Sequence, residues 1–269
     1  MANTVYDNFV LANEIEDQFN SHLDLLRFCT IDNSLEGTSG MVKKIHTYTA
    51  TNGTEKLAMG KGNTKSITAG YSEKEYRILL AQNRFEYYDE EAMTDPIMVQ
   101  TGIRHMATDM FNTVNADIFA EFNKATLTHG SSTPDFACFV DAAAILNVED
   151  LEGLELFAFV NPKDNAKVRK ALKDDLKYVE SFARQGYIGT VAGWNLYTKK
   201  DAVENTIVGG TRQAVTLFNK RGVEVEQPSR GPADANIRKN TIISRKYYLP
   251  ALTDATKAIK ITLGAAAGE

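Results

Sequence analysis

The chain has 269 residues, of which 43% are hydrophobic and 24% charged, and its formal net charge is -5. This composition argues against intrinsic disorder, and the acidic balance argues against a typical nucleic-acid binder, which neutralises phosphates with lysine and arginine. Cys29 and Cys138 form no CxxC pair, the N-terminus has no secretion-signal pattern, and no stretch approaches the roughly 20 apolar residues of a membrane span. We therefore expect a soluble protein made in a cytoplasm.

The first patterned segment is NEIEDQFNSHLDLLRF. Its apolar residues recur at spacings of four, four and three, which predicts one stripe on a helix formed by Ile15, Phe19, Leu23 and Leu26. Such a stripe must be covered, and another subunit could supply the cover. Residues 1–44 are interpreted as an N-terminal arm and helix.

Residues 45–76 are polar and rich in glycine, threonine, serine and lysine. Short runs with alternating character predict two strands, and the sequence Gly60-Lys61-Gly62 predicts a turn between them. This turn is not a phosphate-binding loop, because the G-x4-G-K-[ST] pattern and a following helix are missing from the sequence. We predict a long β-hairpin that buries no core of its own and lies on something else.

A strand and then a long helix are predicted in residues 77–135. RILLAQNRFEYY has strand character, and Asp95-Pro96 is a typical helix start because aspartate caps and proline suits the first turn. The helix is predicted over residues 97–127, with an apolar stripe of Ile103, Met106, Met110, Val114, Ile118 and Phe122. The sequence THGSSTP is expected to end it.

Residues 136–240 have an α/β pattern. The apolar strand LELFAFVNP precedes the helical segment NAKVRKALKDDLKYV, and glycines bracket short strands in GYIGTVAGWNLYTKK. Residues 241–269 are predicted to return as C-terminal strands, followed by a short tail. The fold class expected from this order of elements is α+β.

The densest cluster of acidic residues is in NRFEYYDEEAMTDP. Three of these acids are consecutive, so they alternate faces on a strand or fan out on a helix and do not converge as a metal or acid/base site requires. We therefore predict no catalytic, metal-binding or cofactor-binding residues. The charges are instead interpreted as candidate intersubunit contacts, with hairpin lysines facing these acids: Lys56, Lys61, Lys65 and Lys74 against Glu86, Asp89, Glu90 and Glu91.

The order of these parts resembles the major capsid protein of tailed bacteriophages, whose fold is shared with encapsulins and herpesvirus capsid floor domains. The resemblance rests on FEYYDEEAMTDP leading into the long helix, on LFAFVNPKDNAKVRKAL and GYIGTVAGWNLY, and on the closing VEVEQPSR and TIISRKYYLPAL. It implies an extended loop at 45–76, a peripheral domain at 77–135 with a spine helix, an axial domain at 136–240, and peripheral-domain strands at 241–269.

The resemblance also implies a function and partners. It implies self-assembly into pentamers and hexamers of an icosahedral shell around double-stranded DNA, bound non-specifically on the inner face. The implied location is the virion capsid, and the implied site of synthesis is the cytoplasm of a bacterial host. No long scaffolding segment precedes the arm, so the expectation is either a separate scaffolding protein or assembly that needs no scaffolding segment. A portal protein and decoration proteins are further expected partners, and no membrane is expected. Two alternatives stay open at this point: an encapsulin-like compartment, and an α/β enzyme with no recognisable motif.

Overall fold

Three β-sheets and one long helix organise the residues that the computed structural model describes, which are 24–147, 155–173 and 189–264. The strands are β1 (Thr30–Asp32), β2 (Val42–Ala50), β3 (Ala69–Arg77), β4 (Leu79–Tyr88), β5 (Leu127–Ser131), β6 (Leu156–Val160), β7 (Thr190–Val191), β8 (Trp194–Thr198), β9 (Thr206–Gly210), β10 (Val215–Glu226), β11 (Lys239–Leu252) and β12 (Ala258–Leu263). The helices are α1 (Asp89–Thr94), α2 (Pro96–Phe122), α3 (Phe136–Leu146), α4 (Pro162–Ala171) and α5 (Pro232–Asn236).

The strands form sheets of four, six and two strands. The four-stranded sheet has the order β1-β10-β11-β4, the six-stranded sheet has the order β5-β12-β9-β6-β8-β7, and β2 pairs with β3 alone. The pairs β1/β10, β12/β5 and β6/β8 are parallel, and the remaining pairs are antiparallel. This arrangement of helices and sheets confirms the predicted α+β class.

The long helix α2 begins where the sequence predicts. Asp95 is extended, its carboxylate accepts a hydrogen bond from the Ile97 amide at 3.0 Å, and Pro96 follows as the first helical residue. The predicted end at residue 127 is wrong, because the helix stops at Phe122 and residues 127–131 form β5, which pairs with β12. Hydrogen bonding to a strand that is remote in sequence therefore overrides helical continuation.

The core lies between α2 and the sheets. Along the predicted stripe, five of the six side chains are buried, namely Met106, Met110, Val114, Ile118 and Phe122, while Ile103 stays 45% exposed. Next to them is a cluster of aromatic rings in which Phe28 lies 4.8 Å from Phe157 and Phe122 lies 5.6 Å from Phe157. These rings come from three separate regions of the chain, so the cluster ties the N-terminal residues to the helix and to β6.

A second core covers the other face of the six-stranded sheet. Helices α3 and α4 pack there through residues such as Phe139 and Val168, and Trp194 is fully buried among them. The Trp194 indole donates a hydrogen bond to the Phe139 carbonyl at 3.0 Å, which satisfies its one polar atom. The six-stranded sheet is therefore covered on both faces.

The sheets do not follow the predicted boundary at residue 240. β10, within the predicted 136–240 unit, pairs with β11 in the four-stranded sheet. β12, within the predicted 241–269 segment, pairs with β5 and β9 in the six-stranded sheet. The C-terminal segment is therefore divided between the two sheets, and the assignment of residues to peripheral and axial domains stays a prediction.

The predicted N-terminal helix lies mostly outside the described residues. Its last residues form a short 3-10 turn, Leu25–Phe28, which is capped by the Asp24 carboxylate and buries Leu25 and Phe28. None of the helices in the described ranges has both the length and the apolar character needed to cross a membrane.

Candidate interaction surfaces

The predicted acidic cluster lies at the junction between β4 and the long helix. Tyr88 is extended and ends β4. Asp89 to Thr94 then form the short helix α1, which no pattern in the sequence predicted. On this helix Asp89, Glu90 and Glu91 point in different directions and take different partners. Acidic residues in the first turn also suit the positive end of a helix dipole.

Asp89 is held by a polar clamp from the C-terminal third of the chain. Arg230 donates through both terminal nitrogens to the two carboxylate oxygens, one of them at 2.8 Å, and the Asn240 side-chain amide donates to the same carboxylate at 2.7 Å. Arg230 also donates from Nε to the Asn240 oxygen at 3.0 Å. Hydrogen bonding from Arg230, and then from Asn240, lowers the pKa of Asp89.

The neighbouring acids are also paired within the chain. Glu86 accepts from Lys239 at 2.9 Å, and this hydrogen bond lowers the pKa of the Glu86 carboxyl. Glu90 pairs with Arg238. The Glu91 carboxylate instead accepts from the Tyr88 amide at 3.0 Å, which caps α1.

Sequence reasoning missed these cationic partners. Arg238 and Lys239 stand at the start of β11, and that strand pairs with β4 so that Lys239 lies opposite Tyr88. The sequence signal for these partners was the basic pair Arg238-Lys239 just before the predicted C-terminal strands. The register of β11 against β4, which decides what the pair meets, could not be predicted from the local sequence. The intersubunit role of the acids stays a prediction, and each acid already has a partner in its own chain.

The described side chains of the junction do not converge on one point as a metal site or an acid/base site would require. Among the described residues, no group of three or more histidine, cysteine, aspartate or glutamate side chains is placed to hold a metal ion. The two cysteines are buried, and burial raises the pKa of both thiols, that of Cys29 to about 11. The junction thus organises structure through ion pairs rather than presenting reactive groups.

The predicted hairpin is present, and its strands are β2 and β3. β2 and β3 pair in one continuous antiparallel register from Val42 opposite Arg77 to Ala50 opposite Ala69. Residues 51–68 between them form no strand, and a turn closed by the Lys61 amide and the Ala58 carbonyl lies at the predicted position. Gly60 has a φ of +79° in that turn, a conformation that glycine adopts without strain.

The base of the hairpin is attached to the four-stranded sheet by one face. Ile45 and Tyr76 pack against a small core that contains Phe218 and Leu249, and Lys43 lies 5.1 Å from the centre of the Phe218 ring. The opposite face carries His46, Tyr48 and Tyr71. Tyr48 is 73% exposed and Tyr71 is 67% exposed, so the outer face of the hairpin is an uncovered aromatic surface.

The predicted hairpin lysines are exposed, and within the described ranges they form no ion pair with the acids of the junction. Lys56, Lys61 and Lys65 lie in the 51–68 segment, and Lys74 lies on β3 opposite Ile45. In the part of the chain that the structure describes, none of the four has an ion-pair partner, whereas the nearby Lys44 pairs with Glu75 at 2.9 Å and with Glu73. The structure therefore does not bring the two halves of the predicted charge pairing together within one chain.

Comparison with known proteins places these features in context. No family model matches the chain. A major capsid protein of Staphylococcus phage phiMR11 is 24% identical over 262 residues, which cover 95% of this chain and 92% of the relative.

Solved structures resemble the chain over most of its length. The capsid structure of the cyanophage P-SCSP1u matches with a TM-score of 0.68 at 13% identity, covering 88% of this chain and 87% of the other. The capsid of the native GTA particle matches with a TM-score of 0.69 at 13% identity, covering 90% of both chains. The chain therefore has the α+β fold of phage major capsid proteins, as the resemblance in its sequence predicted.

Proposed function

We propose that this chain is a structural major capsid protein of a tailed phage, which self-assembles into pentamers and hexamers of an icosahedral shell around double-stranded DNA. The single observation that carries the proposal is the match to a phage major capsid protein over 95% of the chain. The capsid folds of the cyanophage and of the GTA particle support it over nearly the same span.

The hairpin supports a role that depends on neighbouring copies. A two-stranded ribbon is only marginally stable in water without a surface to pack on. Within the described ranges, the side chains of the ribbon that pack on the core beneath it are Ile45 and Tyr76 at its base. Its outer face exposes Tyr48 and Tyr71, and its end exposes Met59 fully. Burial between subunits would supply the apolar contacts that the single chain lacks.

A structural role also suits the chemistry of the described residues. The charged side chains at the junction form ion pairs that join β4, α1 and β11, and the thiols are buried with raised pKa values. We accordingly propose that the chain is not an enzyme and needs no cofactor. Its further proposed partners are a scaffolding protein, a portal protein, decoration proteins and the packaged DNA. Its proposed location is the virion capsid, after synthesis in the bacterial host cytoplasm.

Expression of the chain followed by size-exclusion chromatography and negative-stain electron microscopy tests the proposal. We expect rings of five and six subunits, or closed shells, that appear as protein concentration rises. A monomer or dimer over the whole concentration range would contradict the proposal. Particles whose cargo is a specific enzyme and not nucleic acid would favour the encapsulin-like alternative instead.

A further inference from the structure

The sequence contains one asparagine that is followed by glycine, Asn52-Gly53, and this pair lies in the 51–68 segment of the hairpin. The backbone nitrogen of a residue can attack the side-chain carbonyl carbon of a preceding asparagine. Glycine hinders this attack least, because it has no side chain. Asn52 is exposed, so water reaches the reacting atoms. The pair therefore has the local chemistry of a deamidation site.

The fold leaves both reacting groups of this pair without a hydrogen bond. Among the residues that the structure describes, neither the Asn52 side chain nor the Gly53 amide has a hydrogen-bond partner. The backbone on either side of them is held, because the Thr51 amide donates to the Thr68 carbonyl at 3.0 Å and the Gly53 carbonyl accepts from the Asn63 side chain at 3.1 Å. No hydrogen bond has to break before the Gly53 nitrogen attacks.

Asn63, in the same segment, is the opposite case. Its side-chain amide donates to the Gly53 carbonyl at 3.1 Å, and its side-chain oxygen accepts from the Lys65 amide at 3.1 Å. The backbone nitrogen that would attack it belongs to Thr64, and this N–H donates to the Glu55 carboxylate at 2.9 Å. Thr64 is also β-branched, which crowds the attack. One segment thus contains one asparagine that is free to react and one that is protected.

We infer that Asn52 is a site of spontaneous deamidation in the folded chain. The Gly53 backbone nitrogen loses its proton to solvent and forms a bond to the side-chain carbonyl carbon of Asn52. The bond from that carbon to the amide nitrogen breaks, and ammonia leaves. Water then opens the succinimide ring at either carbonyl, which gives aspartate or isoaspartate at position 52. The reaction consumes one water, needs no oxidant or reductant, and does not depend on the proposed function.

Deamidation changes both the charge and the packing of the segment. Residues 51–68 contain three lysines and one acid, so a new carboxylate makes a basic surface less basic: Lys56, Lys61, Lys65 and Glu55. The isoaspartate product also lengthens the backbone by one carbon next to Gly53. A Cβ added at Gly53 would lie 2.7 Å from the Ile67 backbone nitrogen, so the chain has no slack there. We expect this product to lose the hydrogen bond between Gly53 and Asn63.

Peptide mapping of the aged protein tests the inference. The purified full chain is held at mildly alkaline pH and sampled over days, and mass spectrometry with isoaspartate detection measures the conversion of each asparagine. We expect a mixture of aspartate and isoaspartate at position 52. Conversion of Asn63 should be at least about tenfold slower, because three hydrogen bonds must break first. No conversion at position 52, or equal rates at the two positions, would overturn the inference.

The variant Thr64→Gly separates the effect of the fold from that of the local sequence. It gives Asn63 a following glycine and keeps the backbone N–H that bonds Glu55. In the folded variant Asn52 should still react several-fold faster than Asn63, whereas in urea the two should react at similar rates. Equal rates in the folded variant would contradict the inference. A wild-type Asn52 that reacts many times faster in urea than in the folded chain would also contradict it, because the fold would then protect this site.

The variant Asn52→Gln is the control for the change in charge. Glutamine must close a larger ring, so this variant should lack the main acidic species that the wild type acquires on ion-exchange chromatography. An acidic species that accumulates equally in both proteins would assign the modification to another residue.

Discussion

At the scale of single residues, Asp89 is the most connected side chain of the acidic cluster. Its two oxygens accept three hydrogen bonds from Arg230, in the loop between β10 and α5, and from Asn240, on β11. A bidentate arginine pair with an additional amide donor fixes geometry better than a single surface ion pair does. Asp89 therefore helps to hold the start of α1 against the end of the four-stranded sheet.

Replacing Asp89 with asparagine should lower the melting temperature of the unassembled chain at pH 7, because Arg230 loses its charged partner. The matched control is Glu224→Gln, which removes one exposed carboxylate that pairs only with nearby Arg221, and it should have a smaller effect.

The same pair of proteins gives a pH test. The folded-state pKa of Asp89 is lowered, so its stabilising effect is present above the unfolded value of about 4 and is lost as pH falls through the lower folded value. The gap in melting temperature between wild type and Asp89→Asn should therefore close below about pH 4. A gap that persists unchanged at pH 2 would contradict this account.

At the scale of elements, one glycine sets how closely the long helix approaches β4. A Cβ built on Gly102 would lie 2.5 Å from the nearest atom of the Phe85 ring. Phe85 also stacks on Tyr87, with ring centres 5.7 Å apart. The helix lies directly on this aromatic surface at a distance that leaves no room for a side chain at residue 102 unless the Phe85 ring moves.

Gly102→Ala should destabilise the chain, although alanine is usually favoured over glycine in a helix by about 1 kcal/mol. Crowding against Phe85 should cost about 1–3 kcal/mol and reverse that preference. Chemical denaturation would measure the change, and Phe85→Leu in the same chain should relieve much of it. Gly222→Ala is the matched control, since a Cβ there meets nothing within 4 Å and should have little effect.

Local sequence signals predicted the elements that depend on local chemistry. Asp95 and Pro96 define a helix start through their own caps and backbone, and this start is observed. The hairpin turn near Gly60 was also predicted, because the glycines that favour a turn are part of the turn itself. In both cases the residues that carry the signal are the residues that form the structure.

Pairing between distant segments could not be predicted in the same way. The end of α2 was misplaced because residues 127–131 pair with β12, about 130 positions further along the chain. The partners of the acidic cluster were missed for the same reason, since the β4–β11 register brings Lys239 beside Glu86. Registers of this kind depend on the whole set of strands and not on any one segment.

At the scale of the whole molecule, the acids and the lysines of the predicted charge pairing differ in whether they already have ion-pair partners within the chain. The acids of the junction are already paired within the chain, with Arg230, Arg238 and Lys239. Reversing them with Asp89→Lys and Glu90→Lys would place like charges together and disturb folding as well as any contact between subunits. The hairpin lysines are exposed and are the better probe of assembly.

The triple variant Lys56→Glu, Lys61→Glu and Lys65→Glu should fold normally and assemble poorly. Each side chain is exposed, and in the described ranges none of the three has an ion pair to lose, so the melting temperature of the unassembled chain should change little. If these lysines meet acids on a neighbouring subunit, the yield of particles in electron micrographs should fall about tenfold or more, and added salt should lower the wild-type yield in parallel. The matched control replaces the same three lysines with arginine, which keeps the charges and should assemble as the wild type does. Equal particle yields from the glutamate and arginine variants would show that the hairpin lysines are not assembly contacts.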